Sequence, residues 1–241
     1  MYLFTKGGYA SKVLGFTFFL LITTVFSNDL KAQCASPVSV GTCSGGNGPV
    51  TNNANINSGQ TYWYTGNGTF GVINLNGGTL RICGKLTLSN LNFNGGKLII
   101  EAGGSLSLNT GGALNLNGNC TIANSGELNI NKTVVMQNGN NVLFNAAGAV
   151  LNMNGGDYRL DINSPTSTFI NNGTANIQTL FVQSSASGMP VCLGPNSCTN
   201  LSNLNNNLTN SFKAAEGSAV LRYTGNALLN NNLTNNENIF V

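Results

Sequence analysis

The chain has 241 residues, enough for one domain of ordinary size and barely enough for two. Only 7% of its residues are charged, whereas about a quarter are charged in an average globular protein. A net charge of +3 beside 41% hydrophobic residues excludes a charge-driven disordered chain. Ten scattered Lys and Arg residues do not form the basic stripe of a nucleic-acid-binding protein, and the absence of histidine excludes histidine-dependent chemistry.

The N-terminal segment 1–33 has the pattern of a secretory signal peptide. Lys6 and Lys12 precede an apolar run at 13–27, which is shorter than the roughly 18 residues expected of a membrane-spanning helix. An N-terminal membrane anchor and lipidation of Cys34 are less favoured alternatives, the second because Gln33 stands where a small residue is expected. The sequence therefore predicts a protein that is secreted or lies at the cell surface, with no membrane segment after cleavage.

Six cysteines in an exported chain indicate disulfides. Cys34 and Cys43 flank a short loop that contains proline and glycine, and Cys192 and Cys198 bracket the loop LGPNS. Because both pairs are close in sequence, two local bridges are predicted, Cys34–Cys43 and Cys192–Cys198.

A degenerate repeat organises the middle of the chain. Each copy alternates apolar and polar residues, turns at Asn-Gly-Gly or a variant of it, and alternates again. The copies begin at Ile73 (INLNGGTLRI), Leu91 (LNFNGGKLII), Leu114 (LNLNGNCTI), Val134 (VVMQNGNNVLF) and Leu151 (LNMNGGDYRL). The alternation predicts short strands with one buried face, and the glycines allow tight corners.

Such short strands cannot bury their apolar faces alone, but stacked coils of them can. The sequence therefore predicts an all-β fold, a right-handed parallel β-helix or β-solenoid of short coils with Asn and Gly at the corners. Asparagine suits it because stacked amides form hydrogen-bonded ladders, whereas stacked like charges repel. An antiparallel sandwich with Asn-Gly hairpins is the alternative.

The repeat also bears on the two remaining cysteines. Cys83 and Cys120 are two coils apart, roughly 9.5 Å at one strand spacing per coil. A disulfide requires Cα atoms within about 7 Å, so two free thiols are favoured over a bridge between them.

The chain is predicted to have four parts: a signal peptide (1–33), an N-terminal cap (34–58), the β-solenoid (59–185), and a region (186–241) with a disulfide-bonded loop and a truncated β-repeat. The sequence stops in mid-pattern at NIFV. This ending predicts either that the last strand docks on a partner, by end-to-end or edge association, or that the chain is the front of a longer protein. The second interpretation is favoured.

Charge is concentrated at one point of the repeat. Asp157, Arg159 and Asp161 share one face of a strand if the alternation holds, and such residues can bind a ligand or supply acid and base. The two carboxylates, however, lie roughly 13 Å apart along such a strand. A solvated row of ion pairs is therefore the favoured interpretation, and no catalytic residue is predicted.

Tyr62, Trp63 and Tyr64 form an aromatic triplet where the solenoid begins. Alternation places the two tyrosines on one face and the tryptophan on the other, so an aromatic surface for sugar rings is one interpretation. The favoured one is that Trp63 covers the end of the core. No metal and no cofactor are predicted, because Asn stands where calcium-binding repeats need Asp.

The secretory start, the short Cys34–Cys43 segment and coils such as those at 73–108 (INLNGGTLRICGKLTLSNLNFNGGKLIIEAGGSLSL) resemble the N-terminal regions of large bacterial surface proteins. The resemblance is to adhesin-like β-solenoids exported by Bacteroidota, often by type IX secretion, and it covers residues 33–183. It implies a cell-surface module. The C-terminal sorting domain usual in that family is not visible in this sequence.

Together these features predict a non-enzymatic, extracellular structural or adhesive module, with glycans or other cell-surface proteins as partners. A carbohydrate-active β-helix protein is the alternative, as a polysaccharide-binding module before a lyase or hydrolase.

Overall fold

A computed structural model describes residues 41–109, 112–183, 190–206, 212–214, 219–223 and 227–229. Over these ranges the regular elements are all β-strands, and the pairings between them are all parallel. No helix in these ranges is long and apolar enough to cross a membrane. The predicted signal peptide (1–33) and Cys34 lie outside the described residues.

The strands are short, and a few are twice as long as the rest. In chain order they are β1 (Gly48–Pro49), β2 (Asn55–Asn57), β3 (Thr61–Tyr64), β4 (Asn67–Asn76), β5 (Thr79–Ile82), β6 (Lys85–Phe93), β7 (Gly96–Ile100), β8 (Ser105–Leu108), β9 (Leu114–Asn117), β10 (Cys120–Asn124), β11 (Glu127–Ile130), β12 (Val134–Asn138), β13 (Val142–Asn145), β14 (Val150–Met153), β15 (Arg159–Ile162), β16 (Thr168–Asn171), β17 (Thr174–Val182), β18 (Val191–Leu193), β19 (Cys198–Asn206), β20 (Phe212–Ala214), β21 (Val220–Tyr223) and β22 (Ala227–Leu229).

These strands stack into a β-solenoid of about seven turns, which confirms the predicted fold class and excludes the antiparallel sandwich. A nine-stranded sheet, here called the first sheet, runs along the whole stack in the order β1-β3-β5-β7-β10-β13-β16-β18-β20. The rest of each turn belongs to a thirteen-stranded second sheet. Parallel pairing begins in the predicted cap, at β1 and β2, and continues through β18 to β22 in the region predicted as loop and further repeat.

The alternation in the sequence sets which side chains fill the interior. In β6, Leu91 and Phe93 are buried in the core, while Asn92 between them is exposed. The NGG corners work as predicted: Gly96 has a φ of +98°, and a Cβ on it would collide with the carbonyl of Gly78 one turn away. Only glycine fits such a corner.

In each turn, the part of the chain that belongs to the second sheet has two halves. Residues inserted between these two halves make the repeat irregular. In β4 and β6 the two halves run on as one strand, and the turn is short, with Thr61 paired to Thr79. Residues 131–133 separate β11 from β12, and residues 154–158 separate β14 from β15. The turn that pairs Val142 with Thr168 is therefore longer. The register is kept because the extra residues lie at one corner.

A buried amide ladder follows the end of the first sheet. The Asn124 amide donates to Asn145 Oδ1 (2.8 Å), Asn145 donates to Asn171 Oδ1 (2.9 Å), and Asn171 donates to the Thr199 hydroxyl (2.7 Å). All four residues are fully buried. The amides also satisfy main-chain groups at the corner, as when Asn145 donates to the carbonyl of Thr174 at 2.9 Å. The predicted asparagine ladder thus exists inside the solenoid as well as on its surface.

The disulfide framework differs from the prediction. Cys43 is bonded to Cys83, 40 residues away, with Cα atoms 6.2 Å apart, so the predicted Cys34–Cys43 bridge and the free Cys83 thiol are wrong. Cys192 is disulfide-bonded, but Cys198 carries a free thiol, so the predicted Cys192–Cys198 bridge is also wrong. In a solenoid, spatial neighbours come from other turns, and closeness in sequence is a poor guide to pairing.

The thiol of Cys120 is free, as predicted, and it is buried. Burial raises the pKa of this thiol, against the opposing effect of the Gly95 N–H, which donates to the sulfur at 3.2 Å. Such a thiol is a poor nucleophile at neutral pH, and its role is in packing.

We expect Asn145→Asp to destabilise the solenoid strongly at pH 7, by about 3 kcal/mol or more. The change removes the donors to Asn171 and Thr174 and buries a charge against carbonyl oxygens. Because this burial raises the pKa of the new carboxyl, the loss shrinks as the pH falls and the carboxyl takes up a proton. Urea unfolding followed by circular dichroism at pH 4 and pH 7 measures both effects. Asn92→Asp, in an exposed ladder, is the control; equal losses for the two variants contradict the assigned role.

We expect the Cys43→Ser/Cys83→Ser double variant to lose about 4 kcal/mol of unfolding free energy, the chain-entropy value for a loop of this size. Urea unfolding of the oxidised protein provides the measurement. Cys198→Ser, which removes a free thiol, is the control and should change stability little. Equal stability of the double variant and the native protein would contradict the bridge.

Candidate functional site

The outer face of the second sheet carries an exposed amide ladder near the first turns. Asn74 donates its side-chain amide to Asn55 Oδ1 at 2.7 Å, and Asn92 donates to Asn74 Oδ1 at 2.6 Å. A second row lies beside it, where Asn94 donates to Asn76 at 3.3 Å. Both rows lie at outward positions at or just after the ends of β2, β4 and β6. They share one face of the sheet because every second residue of a strand points to the same side.

A longer, half-buried ladder follows the other half of this sheet. Asn152 donates to Asn129 (2.8 Å), Asn176 to Asn152 (2.8 Å) and Asn200 to Asn176 (2.7 Å). Four consecutive turns thus repeat one amide at one register position.

These ladders repeat a neutral amide at a fixed axial period, and charged residues adjoin them: Asn129 donates to the exposed Glu127 at 3.0 Å, and the exposed Arg222 pairs in register with Asn200. Each amide uses one N–H and its oxygen along the ladder, which leaves a second N–H and a lone pair for a ligand or water. The turns repeat every 4.7–4.9 Å, roughly the strand spacing of a sheet. The arrangement can hydrogen-bond a neutral, repetitive partner, and it offers no group to transfer a proton.

The aromatic triplet divides between the two sides of the first sheet, as the alternation predicts. Tyr62 and Tyr64 pack against the core, and the ring of Tyr64 meets that of Phe70 edge to face at 5.2 Å. Trp63 lies on the outer side, half-buried, and its Nε1 donates to the carbonyl of Gly45 at 2.9 Å. The favoured interpretation that Trp63 covers the core was therefore wrong: the two tyrosines pack against the core, and Trp63 lies on the opposite side of the strand.

The charged cluster is split between a loop and a strand. Asp157 is exposed in the segment before β15, and Arg159 and Asp161 point outward from β15. Arg159 Nη2 donates to Asp161 Oδ2 at 2.8 Å, and the guanidinium carbon lies 5.5 Å from the ring centre of Phe181. Arg159 and Asp161 form one ion pair, and Asp157 is no part of it.

Asp161 is the unusual member of this pair because its side chain is 4% exposed, against 49% for Arg159. Its second oxygen, Oδ1, has no hydrogen-bond partner. Burial raises the pKa of the Asp161 carboxyl, and the charge and hydrogen bond of Arg159 only partly oppose this.

The sequence patterns missed one ion pair and one buried lysine. Arg81 Nη1 bonds Glu101 Oε1 across one turn, and Glu101 is buried. Lys132 lies in the corner between β11 and β12; burial lowers the pKa of its ammonium, which donates to Asn90 Oδ1 at 3.3 Å. The signal that could have found the first pair is its spacing in the sequence, which is close to one turn of the repeat.

Metal binding finds no support in this geometry. Within residues 41–109, 112–183 and the shorter described ranges that follow, no three His, Cys, Asp or Glu side chains come together as a metal site.

Comparison with known proteins finds no match. No protein-family model, no curated protein and no solved structure matches the chain. The β-solenoid and its surface chemistry are therefore the basis for any statement about function.

We expect Asp161→Asn to gain stability relative to the native protein as the pH rises from 3 to 7. A carboxyl whose pKa is raised by folding stabilises the fold while it is protonated, and this contribution is lost as the pH rises through the folded-state pKa. The neutral amide has no such loss. Thermal unfolding at pH 3, 5 and 7 measures the difference, with Asp157→Asn in the exposed loop as control. If Asp161→Asn instead became less stable than the native protein at pH 7, the ion pair with Arg159 would outweigh the cost of burying the carboxylate.

Proposed function

We propose that this β-solenoid is a non-enzymatic structural or adhesive module that works outside the cell. The observation that carries the proposal is the set of uninterrupted amide ladders, Asn55–Asn74–Asn92 and Asn129–Asn152–Asn176–Asn200, on the outer face of the second sheet. Side chains that bond one another along the axis stiffen the stack of turns and present rows of neutral amides to a partner.

An extracellular place is supported by the cysteine chemistry and by the start of the sequence. The Cys43–Cys83 bridge and the disulfide of Cys192 are stable in an oxidising compartment and rare in the cytosol. The basic and apolar pattern of residues 1–33 is typical of an export signal.

A non-catalytic role is supported by the four carboxylates that lie within the described residues. Asp161 is buried and paired with Arg159, Glu101 is buried and paired with Arg81, and Asp157 and Glu127 are exposed on different segments. Glycoside hydrolysis by paired acids needs two carboxyl groups about 5–9.5 Å apart across one bond. We infer that binding or scaffolding, not bond cleavage, is the task of this chain.

Polysaccharide binding is the second candidate, and one observation favours it. Trp63 is half-buried on the outer side of the first sheet, in register with Pro49 and Arg81 on the neighbouring strands. An indole beside a guanidinium can stack on a sugar ring and hydrogen-bond its hydroxyl groups.

We expect Trp63→Ala to weaken binding to glycans on an array about tenfold. The reason is that the variant loses an aromatic contact of ~1.4 kcal/mol, which corresponds to a factor of ten in Kd. Tyr64→Phe, whose ring faces the core, is the matched control and should bind like the native protein. Binding that is unaffected by Trp63→Ala would remove this residue from the site. Turnover of a polysaccharide by the purified protein, lost in Asp161→Asn, would overturn the non-enzymatic proposal.

A further inference from the structure

The main-chain ladder of the second sheet is interrupted at one point of the described chain. On one side, residues 90–93 at the end of β6 pair in register with residues 72–75 of β4. In the next turn the corresponding strand is β9, but among the described strands β9 pairs with β12 and with no other. We call the facing edges of residues 90–93 and of β9 the seam. No ladder joins these two neighbouring turns along the seam.

Paired strands bound the seam at both ends. The first half of β6 pairs with β8 over residues 85–88, and β7 pairs with β10 along its whole length. Just past the seam the two turns touch, since a Cβ on Gly95 would lie 2.9 Å from the carbonyl oxygen of Gly118. The seam is therefore a slit in one side of the tube, and the other sides of the same turns are held together by ladders.

The surface amide ladder ends at the same place. Asn92 donates to Asn74 on the paired side of β6. The corresponding residue of β9 is Asn115, because the segments LNFN and LNLN are copies of one repeat element. Its amide donates instead to the carbonyl of Ala113 at 3.5 Å, within its own turn. Side-chain stacking thus fails where main-chain pairing fails.

The thiol of Cys120 takes up main-chain groups that a ladder would pair. One turn earlier, the carbonyl of Leu75 accepts a hydrogen bond from the N–H of Asn94 at 2.8 Å. Phe93 is in register with Leu75, and its carbonyl instead accepts a hydrogen bond from the Cys120 thiol at 3.5 Å. The Gly95 N–H donates to the same sulfur at 3.2 Å. Because a thiol is a weak donor and a weak acceptor, these bonds hold the turns less firmly than a ladder does.

A buried lysine closes the other end of the seam. Lys132 lies in the corner just before β12, two turns after Asn90, and its side chain is buried. Its ammonium donates to Asn90 Oδ1 at 3.3 Å. This contact passes over the turn that contains β9. It therefore ties together the two turns on either side of that one.

We propose that the seam is the place where this solenoid opens locally without unfolding, with Cys120 and Lys132 as its two clasps. Separating the strands at the seam breaks these side-chain contacts, whereas at the other turn-to-turn contacts of the described second sheet it breaks a main-chain ladder. The first sheet remains paired and serves as the hinge. Opening exposes the Cys120 thiol, and it does not depend on what the module binds.

Amide hydrogen exchange on the native, full-length protein tests the opening. The carbonyls of Phe93 and Asn117 face the seam, since both lie near the Cys120 sulfur, at 3.5 and 3.7 Å. In a strand the N–H of a residue points to the same side as its carbonyl. We expect the amides of Phe93 and Asn117 to exchange at least about tenfold faster than that of Leu75, which faces the paired side of β6. Equal protection of the three amides, read by residue-resolved mass spectrometry, overturns the proposal.

Thiol labelling measures the same opening by a second route. In a Cys198→Ser background, Cys120 is the one free thiol of the described residues, and it is buried. We expect an excess of a thiol reagent to label it at a rate that changes little with low urea concentrations, because a local opening exposes little surface. Labelling that occurs only with the urea dependence of global unfolding contradicts a local opening.

Removing a clasp should speed the labelling of Cys120. Asn90→Ala deletes the acceptor of the Lys132 ammonium, and the loss of a hydrogen bond to a charged group should raise the labelling rate about tenfold. Asn152→Ala, in an amide ladder outside the seam, is the matched control and should change the rate less than about twofold. An Asn90→Ala variant that is labelled no faster than Asn152→Ala removes Lys132 as a clasp and overturns the proposal.

Discussion

In-register stacking at about 4.8 Å is the constraint on which the rest of this structure depends. Each side chain lies directly over its counterpart in the next turn, as Thr61 lies over Thr79 and Thr79 over Lys97. A charge repeated at one position would face its like at that spacing, whereas an amide can accept from one neighbour and donate to the other. This is the physical reason why 43 asparagines stand beside 7% charged residues in the same chain.

The same constraint explains where the charges and buried polar groups are found. The two ion pairs join opposite charges across one turn, Arg81 with Glu101, or along one strand, Arg159 with Asp161. Inside, the ladder from Asn124 to Thr199 also donates to the main-chain carbonyls of Val150, Thr174 and Cys198, where second-sheet strands begin. Polar side chains can thus be buried in the interior at low cost where each turn supplies a hydrogen-bond partner for the polar side chain of the next turn.

The solenoid has two outer faces of different chemistry. The outer face of the second sheet presents rows of neutral amides, with the exposed charges of Lys85, Glu127 and Arg159 on the same face. The first sheet presents a row from Ile99 to Cys192 that is buried although it points away from the core.

The sequence alone determined the strands, the corners and the ladders, because alternation and Asn-Gly-Gly act over a few residues and the repeat then copies them into every turn. It also placed Tyr62 and Tyr64 opposite Trp63. It did not determine the Cys43–Cys83 bridge, the burial of Asp161 or the apolar outer row, since each depends on contacts between turns. The sequence distance from one turn to the next varies along the chain, because insertions such as 154–158 are absorbed at one corner. Only the tertiary register decides which residues of distant turns meet, because stacking, not sequence distance, sets the neighbours in a solenoid.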